Sequence, residues 1–287
     1  MNKISFTVDL EDPSERYAPQ GRYVAMTRRL LALCDELDCR ATFFTVGLLA
    51  RAAPDLVKAI AAQGHEIAYH SHAHVSLTRQ DLQSFRAETS ADKDFIEQLI
   101  GKPVLGFRAP RFSLTPQSVW ATAVLADMGF RYSSSVMPTG LSRFGFAATP
   151  RTPFLWPSGL LELPLPVAAC GPLAIPYLGG IYLYAMPALL TRRWLNAAPP
   201  ESLLWTYTHP YDFDVTERFA PMPHTPLWVS LVLWLARRRA EPQLRRVLTG
   251  RAATTLGERA AQLSREQLPR YRADIVGMTI PLERQML

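Results

Sequence analysis

Short bursts of β-branched, aromatic and aliphatic residues recur along the chain at positions 4–9, 41–45, 66–70, 104–108, 130–134, 160–163 and 203–209. Each has the length of a strand and is bounded by residues that favour turns. Up to residue 130 the stretches between them carry a helical period instead. In 22–37, Val24, Leu30, Leu31, Cys34 and Leu37 share one helix face. Residues 54–64 open on Pro54 and close on Gly64, the asymmetry of a short helix. Residues 78–101 begin with Thr78 and Asp81 at capping-box spacing, carry an apolar stripe through Leu82, Phe85, Phe95, Ile96 and Leu99, and stop at Gly101. Residues 115–129 repeat that plan, with Thr115 as cap, Pro116 in the first turn and Gly129 beyond the end.

Strand and helix alternating in this way imply parallel pairing through right-handed crossovers, and therefore an α/β barrel or doubly wound sheet. In both, chemistry collects at the carboxyl ends of the strands. The polar residues follow that rule. Asp9, Glu11 and Asp12 end the first strand, His70 and His74 the third, Arg108 the fourth and His209 the last. Between about 135 and 200 the pattern gives way to proline and glycine, and "LPLPVAACGPLAIPYLGGIYLYAMP" reads as long loops with short strands over the active face. From about residue 225 the chain turns helical and basic. The expected division is 1–224 as the catalytic unit and 225–287 as a basic, mainly helical extension packed on it.

Composition adds three constraints. At 287 residues and 48% hydrophobic content the chain can bury a sizeable core. Cys34, Cys39 and Cys170 are odd in number and lack CxxC spacing, against a disulfide framework or thiolate zinc site, so they are expected reduced and structural. The N-terminus runs straight into a strand pattern with no apolar core of signal-peptide length, so a cytoplasmic location is expected. The net charge of +6 and pI near 9.4 suit an acidic partner. Nothing resembles a nucleic-acid-reading motif, and no nucleic-acid partner is expected. The apolar "LWVSLVLW" (227–234) ahead of "LARRRAEPQLRRVL" (235–248) is too short to span a bilayer but can lie flat on one, so peripheral contact with the inner membrane face is an expectation. The plainer reading is a helix packed on its own domain with a solvated basic face.

"GHEIAYHSHAH" (64–74) puts three of the chain's six histidines, His70, His72 and His74, within its last five positions. With one turn of chain after the strand, His70 and His74 converge on one ion while His72 points elsewhere. Imidazole suits Zn²⁺, Co²⁺, Ni²⁺ or Fe²⁺, and a catalytic site usually takes three protein ligands and leaves a place for water. "VDLED" offers the carboxylate. Residues two apart on a strand share a face, so Asp9 and Glu11 both look into the site, whereas Asp12 needs the chain to turn. One carboxylate then binds metal and the other stays free as a base. Each residue alone is common in a turn or a cap; their joint placement at strand ends is the signal.

Together with "ATFFTVG" (41–47), "GFRAPRFSLT" (106–115), "GFRYSSSVMP" (129–138), "LELP" (161–164), "GGIYLYAMP" (179–187) and "YTHPYDFD" (207–214), these segments resemble, in order, the motifs of the NodB-type polysaccharide deacetylases, a carbohydrate esterase family 4-like group. The resemblance is greatest to the branch associated with bacterial exopolysaccharides and the cell envelope, and covers about residues 3 to 215. It implies a distorted (β/α)7-type barrel with a helical C-terminal extension, and a metal-dependent hydrolase that removes N-acetyl groups from amino sugars of a polysaccharide, glycolipid or lipid- or nucleotide-linked precursor. It implies Asp9 as catalytic base, Arg108 as its tether, His209 as general acid, and His70 and His74 as ligands of one divalent ion, zinc first with cobalt, nickel or iron as alternatives. The widespread pattern has adjacent aspartates, but here Leu10 follows Asp9; related branches use a carboxylate two positions on, which favours Glu11 over Asp12 as the metal ligand. Arg111 and Tyr211 are candidate substrate contacts, Arg111 standing where many members have an aromatic residue. The alternatives are a deformylase or other C–N amide hydrolase on the same site, and a non-catalytic carbohydrate-binding relative. Asp9 and His209 argue against the last, since sugar binding alone needs neither.

Overall fold

Strand β1 (Ile4–Leu10) sets the plan of the molecule. Its even positions, Ile4, Phe6, Val8 and Leu10, join the main apolar core, which leaves Ser5, Thr7 and Asp9 on the opposite, inward face. In β2 (Ala41–Thr45) the same parity sends Ala41 and Phe43 outward and Phe44 into a second apolar cluster inside the sheet's curve. The computed structural model describes residues 2–14, 17–140, 142–171, 173–222 and 225–271. The last part of the expected C-terminal extension, 272–287, lies outside the described residues.

The other strands are β3 (Glu66–Tyr69), β4 (Gly106–Phe107), β5 (Tyr132–Ser133), β6 (Phe154–Leu155), β7 (Leu161–Glu162), β8 (Val167–Cys170), β9 (Leu173–Pro176) and β10 (Leu204–Thr208). Eight of the ten form one sheet in the order β10-β1-β2-β3-β4-β5-β7-β6. All neighbours in it are parallel except β6 and β7, so seven parallel strands make a curled, incomplete barrel of the expected (β/α)7 type. The register sets Asp9 beside Phe44 and Tyr69 beside Phe107, which aligns the carboxyl ends of the first four strands. β8 and β9 form a separate antiparallel hairpin.

The helices are α1 (Arg22–Glu36), α2 (Gly47–Ala52), α3 (Pro54–Ala62), α4 (Leu82–Ile100), α5 (Trp120–Asp127), α6 (Gly180–Ala185), α7 (Ala188–Ala197), α8 (Leu227–Leu248) and α9 (Leu256–Ala261). The expected long helix starts later than its Thr78 signal. Asp81 is the cap of α4, accepting from the N–H groups of Gln83 and Ser84 at 2.9 Å each, while Thr78 lies in a separate 3₁₀ turn, Leu77–Arg79. A carboxylate that meets two free N–H groups caps more strongly than the hydroxyl upstream. The stretch expected as loops holds α6 and α7, because its prolines and glycines flank these helices: Gly179 and Pro187 are their caps, and Pro199 follows the second.

At the amino ends of the strands α9 closes the barrel. Leu256 N–H donates to Thr42 Oγ1 (2.8 Å) and Gly257 N–H to Glu66 Oε2 (2.9 Å). A Cβ on Gly257 would stand 2.2 Å from Glu66 Oε1, so this approach requires glycine. The motif carboxylate Glu162 is structural: it accepts from the N–H groups of Ser135 (2.6 Å) and Val136 (3.0 Å) and from Trp156 Nε1 (3.1 Å). Burial raises its pKa against these bonds. All three cysteines are free; Cys34 and Cys39 are buried, but Cys170 is exposed on β8 and so does not fit the expected structural role. Among the described residues no helix is long and apolar enough to cross a membrane.

Candidate metal and catalytic site

The parity of β1 continues one residue past its end. Leu10 points into the outer core, so Asp9 and Glu11 on either side of it face inward, and both are buried. After β3 the chain reverses in a bend whose Ser71 (φ 65°) and His74 (φ 57°) occupy the left-handed region. The two histidines therefore converge through a strained bend in place of the expected helical turn. Their rings lie 5.2 Å apart. His70 Nδ1 is 2.8 Å from the carbonyl of Arg108, which fixes that nitrogen as the donor and leaves Nε2 as a lone pair facing the site.

Glu11 completes the group. Its Oε2 is 3.4 Å from His70 Nε2 and 2.5 Å from His74 Nε2. The three donor atoms all lie within 4.8 Å of one another, the one such trio among the described residues. Glu11 Oε2 is buried, with no partner besides these two ring nitrogens. Burial pushes the Glu11 carboxyl up, but the charge of His74, hydrogen bonds from His70 and His74, and the charge of His209 outweigh it and hold the group well below the usual carboxylate range. A buried carboxylate oxygen within 3.4 Å of two imidazole Nε2 atoms gathers three donor atoms that a cation can share, and two histidines with one carboxylate form a familiar donor set for zinc. Asp12, the alternative ligand named from the sequence, is outside the trio: it turns back, and its Oδ1 accepts the N–H of Ser14 at 2.8 Å. His72 also points away, to Asp92 at 2.8 Å.

Asp9 is held from behind. Arg108, wholly buried, reaches Asp9 Oδ1 with Nη1 at 2.5 Å, and the same nitrogen donates to Thr7 Oγ1 at 2.9 Å. Its remaining donors reach the carbonyl (3.3 Å) and Oγ (3.1 Å) of Ser134, and the guanidinium lies 3.9 Å from the Phe44 ring centroid and 4.3 Å from that of Trp205. Asp9 Oδ2 is thereby left toward the cavity, 4.0 Å from His209 Nε2. On the other wall, His209 Nδ1 lies 3.0 Å from Asp212 Oδ2, an oxygen that also accepts the His209 N–H (2.8 Å) and Tyr184 OH (2.8 Å). Burial lowers the His209 pKa, but the charge and hydrogen bond of Asp212, followed by the charges of Glu11 and Asp9, raise it to about 9. The Tyr211 ring stacks on that of His209 at 4.7 Å, and its hydroxyl donates to Glu11 Oε1 at 3.3 Å.

These groups line a cavity of 310 Å³ with Arg111, Phe112, Met137, Tyr207, Met222 and Thr225. Arg111 (φ 58°) and Phe112 (φ 54°) are both left-handed, a second strained bend at the rim. Asp9, Glu11, His70, His74, Arg111, His209 and Tyr211 are thus brought together, with Arg108 behind them and Asp12 at the edge. Asp212, Thr7 and Ser134 are supporting residues that the sequence reading missed. For Asp212 the signal was present in "HPYD", an acid three residues after His209. A larger cavity of 650 Å³ opens at the opposite end of the strands around His65, Glu66, Arg131 and Glu258. Its buried carboxylate Glu66 is saturated by Thr42 Oγ1 (2.6 Å), Tyr132 OH (2.9 Å) and Gly257 N–H (2.9 Å), so it fixes α9 in place and offers no open coordination.

Known proteins resemble the chain in sequence and in fold. The family model for polysaccharide deacetylase matches residues 4–133, and that for a domain of unknown function, DUF3473, matches 134–259. A peptidoglycan-N-acetylglucosamine deacetylase of Bacillus cereus is 30% identical over 107 residues, 37% of this chain and 45% of that protein. An uncharacterised 30.6 kDa protein of Geobacillus stearothermophilus is 28% identical over 121 residues, 41% of this chain and 44% of that one. The chain thus spans less than half the length of these curated relatives. Among solved structures, a Mycobacterium smegmatis protein assigned as a polysaccharide deacetylase superposes with a TM-score of 0.56 at 20% identity, covering 94% of both chains. The PuuE allantoinase superposes with a TM-score of 0.52 at 15% identity, covering 90% of this chain and 88% of that one. Both likenesses concern the fold. Residues 4–133, which supply Asp9, Glu11, His70, His74 and Arg108, match the model of the polysaccharide deacetylase family that the motifs resemble.

Proposed function

We propose that the protein hydrolyses the N-acetyl group of an amino sugar, belonging to a bacterial polysaccharide, a glycolipid or a lipid- or nucleotide-linked precursor. The observation that carries this reading is the trio Glu11, His70 and His74 in one cavity with Asp9 and His209, whose Nε2 lies 4.0 Å from Asp9 Oδ2 and 3.8 Å from Glu11 Oε1. The names of the Bacillus cereus relatives support the same bond and substrate class. The working unit proposed is 1–224, with the described part of 225–287 packed on it, a packing supported by the seating of α8 against α6 and of α9 against β1 and β2.

Glu11, His70 and His74 would hold one divalent cation, zinc first by the donor set. Such an ion, when bound, supplies a water of pKa near 7 and polarises the acetyl carbonyl. The remaining steps belong to the chain. Asp9 Oδ2 takes the proton of the attacking water, its other oxygen being pinned by Arg108 so that it cannot rotate away. His209, with Nδ1 committed to Asp212, carries its labile proton on Nε2 and delivers it to the departing nitrogen, without which the amine is too poor a leaving group. Its pKa near 9 keeps it charged and able to donate at neutral pH. The backbone N–H near Arg111, at the rim of the cavity, would serve the oxyanion. Arg111 and Tyr211 bound the space where the sugar ring lies.

The test is product release across a panel: acetate from N-acetylated oligosaccharides, glycolipids and nucleotide sugars, and formate or ring opening from N-formyl sugars and cyclic ureides, before and after EDTA treatment and zinc restoration. Metal-dependent acetate release is expected. Formate or ring opening alone identifies a different amide, and sugar binding without any product identifies a non-catalytic relative.

A further inference from the structure

Helix α8 is packed on one side only. Ser230, Arg237, Ala240, Gln243, Leu244, Val247 and Leu248 form its buried face. Opposite them, Leu227 (62% exposed), Trp228 (70%), Leu231, Val232 and Leu235 (55%) make a continuous apolar stripe in its first half. Arg238, Arg239 and Arg246 continue the same exposed face through its second half. Phe219, packed edge-on against Trp234 at 5.9 Å and itself partly exposed, widens the apolar end. Monomeric proteins rarely leave five large apolar side chains exposed in one stripe.

We infer that α8 is an interfacial helix, which lies in the surface of an anionic bilayer with its first half among the acyl chains and its arginines at the headgroups. The observed order of chemistry suits that occupant. The helix is about 33 Å long, and an apolar stretch with Trp followed by cationic side chains that snorkel matches the depth profile of a lipid surface. The chain's net charge of +6 adds attraction to negative headgroups. A second copy suits it less: parallel pairing sets arginine on arginine, and antiparallel pairing can match the apolar parts only over 227–235, about 13 Å of helix, short of what a stable dimer needs.

The stripe is tied to the active cavity. Met222 and Thr225 line that cavity, and the Met222 N–H donates to Ser230 Oγ at 3.1 Å, on the buried face of α8. Docking therefore brings the cavity rim within a turn of the lipid-facing residues. Resting on the deacetylase reading, this selects a lipid-linked N-acetyl amino sugar as the substrate class.

The experiment is co-sedimentation of the full chain with phosphatidylcholine vesicles and with vesicles containing about one third phosphatidylglycerol, at low and high salt. Partition onto the anionic vesicles is expected to weaken with salt, and to fall at least about tenfold both in Trp228→Ser/Leu231→Ser and in Arg238→Glu/Arg239→Glu. These residues are solvent-exposed, and unchanged thermal unfolding verifies the fold of each variant. Equal binding to neutral vesicles, no binding, or binding unaltered in the variants overturns the inference. So does a concentration-dependent doubling of mass abolished by Trp228→Ser/Leu231→Ser, which assigns the stripe to a second copy. Acetate release from a soluble substrate, measured in parallel, reads the deacetylase proposal separately, since partition requires no turnover.

Discussion

Replacing Asp9 by Asn separates the roles that the site geometry gives its two carboxylates. The substitution keeps an acceptor for Arg108 Nη1, now at 2.5 Å from Oδ1, but removes the charge and the proton-accepting oxygen that faces His209. Breaking a buried ion pair from one side typically costs about 3–5 kcal/mol, because the survivor is left unpaired. Here Arg108 keeps Thr7 Oγ1, the Ser134 carbonyl and hydroxyl, and the faces of Phe44 and Trp205, so the loss falls below that range, to about 2–3 kcal/mol. For a chain of this size that is a fall in Tm of about 3–5 °C. Metal affinity should stay within a few-fold, since Asp9 is not one of the three clustered donors. Turnover should fall by about 10²–10⁴, the range for a lost general base. Thermal unfolding, zinc titration by calorimetry and acetate release read the three quantities on the same preparation. A zinc-loaded Asp9→Asn protein with undiminished turnover refutes the base assignment. Loss of zinc as complete as in His70→Ala would make Asp9 a ligand and refute the division of labour.

The other expectations follow the same geometry. Glu11→Gln and His70→Ala should each lower zinc affinity by at least about 10²-fold in equilibrium dialysis, more than an outer partner costs, whereas Asp12→Asn and His72→Ala should leave it within threefold, because those side chains are engaged by Ser14 and Asp92; equal losses in both pairs would discard the trio. Asp212→Asn should reduce kcat by about 10²-fold with little change in KM, through misorientation of His209, and a KM effect alone would reassign Asp212 to substrate binding. His65, a buried residue whose Nδ1 accepts the Ala41 N–H at 3.1 Å, has its pKa lowered from 6.5 to about 4 by burial and by Arg40. The unfolded chain therefore takes up more protons between those values, so this contribution is complete above pH 6.5 and is lost as pH falls toward 4. At about 1.4 kcal/mol per pH unit, discounted for solvent screening, urea unfolding should show about 1–2 kcal/mol less stability at pH 5 than at pH 7. His65→Asn, which keeps an acceptor, should flatten that slope, and an unchanged slope would remove His65 as its source.

What the sequence disclosed of this site depends on how far each signal had to reach. The pairing of Asp9 with Glu11 was legible because strand parity is strictly local: Leu10 must join the outer core, and its neighbours must then face in. The convergence of His70 and His74 was legible from spacing, but its cause was not, since nothing in "HSHAH" announces that Ser71 and His74 adopt left-handed backbone. Asp12 was an open alternative to Glu11 because adjacent acids look alike until the hydrogen bond to Ser14 turns one of them away. Helices α6 and α7 were hidden because their prolines and glycines sit at caps and boundaries, which composition reads as loop. Asp212 was hidden for a different reason: an acid at the start of a 3₁₀ turn reads as a cap for His209 N–H, and that bond is present, but the same oxygen also serves the imidazole. One atom performs both tasks only because the turn folds His209 and Asp212 onto each other at 3.0 Å. Local periodicity thus names the residues that face the cavity, while the residues that aim them come from contacts between distant segments, as when Arg108 meets Thr7 and Asp9 across the sheet. Perturbing such an aiming contact should therefore change rates while leaving metal binding in place, which is the pattern expected of Asp212→Asn.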